Sequence, residues 1–244
     1  RHLSAMPSKT ALPPLPSVSL TEILFSRVSK FGDAVALVDG PTGRTIKYSE
    51  LEPLITSCAA GLAARGVKKG DVIGLLSPNS IDYPIALFGA THLGASVTTL
   101  NPLYTPFEVS RQLQDAGASQ LIIATPFLEK AHAAVAEGAK LDRIYALGEA
   151  AEGTPDYSAA SPTPVEAFAD LLSSGAPPPT IEPFDPDTHV AVIPYSSGTS
   201  GLPKGVELTH MNVIANVLQC EVEHVDLQPA DTLVGVLPFY HIYG

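Results

Sequence analysis

The chain has 244 residues, 14 Lys and Arg against 25 Asp and Glu, and a formal net charge of −11. With 45% hydrophobic and 16% charged residues, it carries enough apolar surface to offset chain ordering, which excludes disorder as its overall state. So acidic a chain, without a cluster of Lys or Arg, is repelled by nucleic-acid phosphates and anionic membranes, so any phosphate recognition must come from a local device.

The length allows one large domain or two small ones. Cys58 and Cys220 make neither a disulfide framework nor a zinc quartet, and no N-x-[ST] acceptor occurs. Both fit a reducing, intracellular setting, cytoplasmic or peroxisomal, with a mitochondrial address also open. The most apolar run, from Pro84 to Leu100, is interrupted by His92 and several Thr and Gly, so it reads as a buried helix and strand rather than a membrane span. The chain begins at Arg1 and not at Met, which points to a processed or partial sequence.

Residues 1–19 hold Pro7, Pro13, Pro14 and Pro16 and read as an extended leader. Leu20, Ile23, Leu24, Val28 and Phe31 have helical spacing, closed by Gly32. Ala34 to Val38 reads as a buried strand, and Asp39-Gly40 with Pro41 and Gly43 as its turn. Ser49-x-x-Glu52 predicts a capping box for a helix whose apolar face is Leu51, Leu54, Ile55, Cys58 and Leu62, with Pro53 placed in its first turn. Cys58 on that face reads as a core residue rather than a reactive thiol.

Strand and helix then alternate. Strands are predicted at Asp71–Leu76, Ala95–Leu100, Gln120–Ala124 and Arg143–Leu147. Helices are predicted at Ser80–Leu93, from Thr105 to Gly117 behind a second box of Thr105 and Glu108, and at Glu129–Glu137. The alternation predicts an α/β fold with mostly parallel sheets and flanking helices. Ala150 to Asp187, rich in Ala, Pro and Ser, reads as a surface excursion with one short helix near 164–172.

Chemistry concentrates after the next predicted strand, His189–Ile193. Within Ser196-Ser197-Gly198-Thr199-Ser200-Gly201-Leu202-Pro203-Lys204-Gly205 stand four hydroxyls, three glycines and one lysine. Glycines let successive N–H groups turn toward one anion, hydroxyls add donors, and Lys204 supplies a point charge. A polar surface loop has the same composition, but a buried strand aims this one. It is no Walker loop, because Lys204 is followed by Gly205 and preceded by Pro203, and no nucleophile elbow, because Leu202 stands where a second glycine is needed.

The run Tyr195 to Val206 resembles the phosphate-loop signature of the adenylate-forming superfamily, which holds acyl-CoA synthetases, peptide-synthetase adenylation domains and luciferases. Leu208-Thr209-His210-Met211-Asn212 and Leu237-Pro238-Phe239-Tyr240-His241-Ile242-Tyr243-Gly244 are similar to the motifs that follow. Asn101-Pro102-Leu103-Tyr104 with Glu108 looks like the 4-coumarate–CoA ligases and their fatty-acyl relatives. Ser200 stands where threonine is commoner.

The resemblance implies ATP-dependent conversion of a carboxylic acid, a hydroxycinnamic or medium-chain fatty acid, to an acyl-adenylate and then to a coenzyme A thioester, with Mg²⁺. It implies that Ser196, Ser197, Gly198, Thr199, Ser200, Gly201 and Lys204 meet the ATP phosphates, that His241 lies near the carboxylate, and that Tyr243 flanks the acyl pocket. His241 and Lys204 are the expected catalytic residues. No protein metal site is expected, and oligomeric state is left open. His92, His132, His210 and His224 read as structural histidines, and Tyr195 as an aromatic under the loop.

It further implies that 20–244 is an incomplete N-terminal domain, with about 20–70 contributing to a second sheet, about 71–225 a first α/β subdomain and the phosphate loop at 195–205. The adenine-binding motifs and a distinct catalytic lysine would lie outside it, leaving the chain alone inactive. The alternatives are a non-catalytic nucleotide- or anion-binding module, or another adenylating enzyme such as a luciferase-like oxidase.

Overall fold

A computed structural model of the chain describes residues 14–148, 163–196, 202–223, 228 and 230–242. Helix α1 (Leu20–Val28) opens on a capping box absent from the sequence-based expectations. The Ser19 hydroxyl accepts from the Glu22 N–H at 3.2 Å, and the Glu22 carboxylate accepts from the Ser19 N–H at 2.6 Å. The helix stops at Val28, before Phe31, and Gly32 takes φ +50°.

Strands β1 (Val35–Val38) and β2 (Thr45–Lys47) form an antiparallel ribbon of their own, and α2 (Tyr48–Ala64) follows β2 without a loop. That continuity moves the expected cap. The Ser49 hydroxyl donates to Asp33 at 2.7 Å, and Glu50 accepts instead from the Lys47 N–H at 2.7 Å. Pro53 is consequently the sixth helical residue, beyond the first turn, and withholds an N–H from the Ser49 carbonyl on the exposed side of the helix.

The remaining elements are β3 (Val72–Leu76), α3 (Tyr83–His92), β4 (Ser96–Leu100), α4 (Pro106–Asp115), β5 (Ala118–Ala124), α5 (Leu128–Ala136), β6 (Arg143–Leu147), β7 (Val165–Ala167), α6 (Phe168–Leu172), β8 (Val190–Val192), β9 (Tyr195–Ser196), β10 (Lys204–Gly205), β11 (Leu208–Thr209) and α7 (His210–Glu223). Seven strands build one sheet in the order β11-β8-β4-β3-β5-β6-β7, parallel except at β11. The expected α/β fold with a mostly parallel sheet and flanking helices is present. The segment read as a surface excursion also supplies β7, the sheet's edge strand, and α6, whose Phe168 and Leu171 are buried.

Strand alternation divides the core. Ile73, Leu75, Val97, Ile122 and Tyr145 face one cluster with α2, α3 and α6, which holds Ile55, Cys58, Leu62, Ile85 and Leu171. Leu76, Leu100, Leu121, Ile123 and Ile144 face the other, with Val109 and Leu113 of α4 and Ala131 and Ala134 of α5. Continuous apolar strands are what burial on both faces demands. A third cluster, Leu20, Ala191, Ile214 and Leu218, packs α1 and α7 on β8.

From β3 the chain passes to β4 on one side and β5 on the other, so the topological switch point, the usual ligand crevice, lies between β3 and β5. The hydroxyl-rich loop instead follows β8, on the far side of β4. Backbone pairing between β4 and β8 is confined to Val97 and Val192, and side chains reinforce it. Ser96 Oγ donates to the Val190 carbonyl at 2.8 Å and Thr98 Oγ1 to the Ile193 carbonyl at 2.9 Å.

Candidate functional site

Strands β9 and β10 form the base of the loop. They pair antiparallel with Lys204 opposite Ser196 and Gly205 opposite Tyr195. Directly opposed residues project to the same face, so the Lys204 ammonium and the Ser196 hydroxyl share one exposed surface. Ser197, Gly198, Thr199, Ser200 and Gly201, between the two strands, lie outside the described residues, as do Tyr243 and His224. From Ile144 to Gly244, Lys204 is the only lysine or arginine in the sequence.

The Tyr195 ring lies on the loop base, as expected of an aromatic under the loop. A methyl group added at Gly205 would sit 3.1 Å from its ring atoms. Its hydroxyl donates to Asp115, the last residue of α4, at 2.5 Å. Burial, together with that carboxylate, pushes the phenol pKa up.

Beside this base is an apolar cavity of about 390 Å³. Leu24 and Arg27 of α1, Leu87 and Phe88 of α3, Val213 and Val217 of α7, Val192 and Pro194, and the segment Phe239 to Ile242 line it. Pro194 immediately precedes β9, so the loop's first strand grows out of the cavity wall. His241 lies in the same wall. The Arg27 guanidinium pairs with Glu221, bridging α1 and α7.

Tyr83 also lines the cavity. It is 2% exposed, and its hydroxyl has no hydrogen-bond partner among the described residues. Burial pushes its pKa up. A buried hydroxyl without a partner costs about 1–3 kcal/mol. Tyr83→Phe is therefore expected to raise unfolding free energy by roughly 1 kcal/mol, read from urea denaturation. A loss of stability in that variant would show that the hydroxyl has a partner.

The bland readings of the histidines are supported where contacts are described. His92 Nδ1 is hydrogen-bonded to Thr21 Oγ1 at 3.1 Å. His210 is fully buried, stacked on Phe184, and its Nδ1 accepts from the Leu20 N–H at 3.1 Å. Cys58 is fully buried in the core, and burial pushes its thiol pKa up, so it is a packing residue.

A family model described as AMP-binding enzyme matches residues 24–244. The chain belongs to the AMP-binding enzyme family. It is 34% identical over 239 residues to a 4-coumarate–CoA ligase of Pinus taeda, covering 94% of this chain and 42% of that protein. It is 38% identical over 225 residues to a 4-coumarate–CoA ligase of Narcissus pseudonarcissus, covering 90% and 38%. The crystal structure of a long-chain-fatty-acid–CoA ligase from Archaeoglobus fulgidus superposes with a TM-score of 0.79 at 28% identity, over 97% of this chain and 46% of that one. The chain thus spans about two fifths of the curated relatives it matches.

Within this family member, sequence reasoning missed the side chains that hold the motifs in place. Asp115, Thr99 and Asn79 each contact a motif segment far away in the chain. Thr99 Oγ1 donates to the Tyr240 carbonyl at 2.8 Å, and Asn79 contacts residues 235–239. No motif marks them, because their partners lie 80 to 160 residues away. Among the described residues, no helix is long and apolar enough to cross a membrane.

Proposed function

We propose that this chain carries the phosphate loop and part of the acid pocket of an enzyme that joins a carboxylic acid to coenzyme A through an acyl-adenylate. In that reaction a carboxylate oxygen attacks the α-phosphorus of ATP and pyrophosphate leaves. The thiol sulfur then attacks the acyl carbon and AMP leaves. The observation that carries the reading is the placement of Lys204. The only cation in the last hundred residues of an acidic chain stands opposite a serine, on a ribbon rooted in the wall of an apolar cavity. Charge developing on phosphoryl oxygens is stabilised by such fixed donors and cations. Mg²⁺ would enter with the nucleotide and share that charge.

His241 is assigned to the carboxylate end of the acid, and Ser196 with Ser197 to Gly201 and Lys204 to the phosphates. Tyr243 is assigned to the acyl side. The cavity's apolar lining favours hydroxycinnamic or medium-chain fatty acids over amino acids, whose ammonium would be buried there without a partner. The groups that hold adenine and ribose are assigned to sequence outside residues 1–244.

The test is acid-dependent ATP–pyrophosphate exchange in the form of the protein that supports it, with a panel of acids. Lys204→Ala is expected to slow exchange at least about tenfold, because a lost charged contact is worth roughly 1.5–3 kcal/mol. Residues 1–244 alone are expected to release no AMP. Undiminished exchange in Lys204→Ala removes the lysine from the mechanism, and turnover of amino acids only removes the acid assignment.

A further inference from the structure

We propose that Asn79 is a positioning residue for the acid site. Its side-chain amide seats residues 235–239 and so holds His241 in the cavity wall. The inference rests on reading that cavity as the acid site.

Residues 231–236 are exposed and join no sheet, although Leu233, Val234 and Val236 have strand-forming, apolar side chains. One side chain holds the segment instead. Asn79 Nδ2 donates to the Gly235 carbonyl at 2.8 Å and to the Leu237 carbonyl at 2.7 Å. Asn79 Oδ1 accepts from the Phe239 N–H at 2.7 Å. The segment is folded where the amide meets it: the Val236 N–H closes a tight turn on the Val234 carbonyl at 2.9 Å, and the chain bends at Leu237, which brings both carbonyls to one nitrogen. The chemistry of the partners also fixes the orientation of the amide: two carbonyls require the NH₂ group, and an N–H requires the oxygen.

The clamp is anchored at a rigid point, because Asn79 lies in the connection just past the carboxyl end of β3, the central strand of the parallel sheet. Two weaker holds act just beyond it. Thr99, at the end of β4, donates to the Tyr240 carbonyl, and the Tyr83 ring meets Phe239 edge-on at 5.8 Å. The His241 N–H then closes a turn on the Pro238 carbonyl at 2.9 Å. Asn79 itself is exposed and lines no part of the cavity, and it reaches the cavity wall through its bond to the Phe239 N–H. Asp in its place keeps the acceptor for Phe239 but sets a carboxylate against two carbonyl oxygens. Ala removes all three bonds.

The experiment uses the form of the protein that supports acid-dependent exchange, with cinnamate as the acid probe and Mg²⁺–triphosphate as the phosphate probe, both titrated by NMR while the histidine ring signals are followed. Asn79→Asp is expected to weaken cinnamate at least about tenfold, the loss of a positioned contact, and to leave triphosphate affinity within about twofold. Asn79→Ala is expected to do the same and to release the Phe239 amide to hydrogen exchange. A split between the two probes is not what general loosening of the fold gives. Unchanged cinnamate affinity in both variants overturns the proposal, and so does equal weakening of both probes with a lowered melting temperature. If wild type fails to bind cinnamate, or if His241→Gln binds it as wild type does, the acid-site reading fails and carries the proposal with it.

Discussion

Gly61→Ala is expected to destabilise the chain by about 3 kcal/mol, a lowering of the melting temperature of roughly 6–12 °C for a domain of this size. Gly61 lies in α2 where that helix crosses α6. A methyl group built there meets the Leu171 carbonyl oxygen at 2.4 Å, its Cα at 2.7 Å and its carbonyl carbon at 2.8 Å. All three are backbone atoms, so no rotamer change relieves the clash, and the helices must separate. The separation is resisted from both sides. Leu171 and Phe168 are buried in the core cluster shared with α2. Arg65, one turn after Gly61, donates to Glu166 at 2.5 Å, and Arg143 of β6 donates to the same carboxylate. Burial alone would raise the Glu166 pKa, but the two guanidinium hydrogen bonds outweigh it and hold the carboxyl below its usual range. Gly40→Ala is the control, since nothing lies within 4 Å of a methyl group there. Thermal unfolding followed by circular dichroism decides the matter. Equal melting of the two variants would mean that α6 yields to α2 without cost.

The sheet's central strands were legible because burial on both faces writes continuous apolar runs, as in Val72-Ile73-Gly74-Leu75-Leu76 and Leu121-Ile122-Ile123. Thr105 and Glu108 were legible because a capping box is local, and its reciprocal bonds are present at 2.7 and 3.3 Å. The box at Ser49 misled because β2 runs straight into α2, which puts the cap at Lys47, a residue no capping preference selects. Strand β7 was illegible. Val165-Glu166-Ala167 is three residues long, and Glu166 earns its place by pairing with Arg65 and Arg143, at separations of 101 and 23 residues. The candidate site divides the same way. Its loop motif is contiguous and could be read directly, and of that loop the structure describes Ser196 and Lys204 paired across β9 and β10. The supports, Asn79, Thr99 and Asp115, are ordinary polar residues whose meaning comes only from the fold.

Acidification between pH 6.5 and pH 4 is expected to remove roughly 3 kcal/mol of stability through His210. Burial is the main cause of its lowered pKa, about 4, with the nearby His189 adding to it and Glu22 of α1 opposing it. A histidine whose folded pKa lies below its unfolded value of about 6.5 stabilises the fold fully above pH 6.5, and that contribution fades as pH falls toward 4. By pH 5 roughly 2 kcal/mol should be gone. The geometry says why protonation is costly. His210 Nδ1 accepts from the Leu20 N–H, so the neutral ring carries its proton on Nε2, and the incoming proton must take the accepting position. The ring is fully buried and packs against the Phe184 and His189 rings, so the new charge finds no water. His92, whose pKa burial also lowers, adds loss of the same sign. Glu108 and Glu166, both held low by hydrogen bonds, lose their contributions only below about pH 4.5 and so leave the upper window to the histidines. His210→Gln keeps an acceptor for Leu20 without a titratable ring. Urea unfolding at pH 7, 6 and 5 should therefore show a steeper decline in wild type than in His210→Gln, and parallel declines would take His210 out of the account. The consequence reaches the cavity, because Leu20 opens α1 and His210 opens α7, and both helices form its walls. A proton on His210 breaks the bond that joins their first residues, so loss of acid-probe affinity should follow the same pH window as the loss of stability.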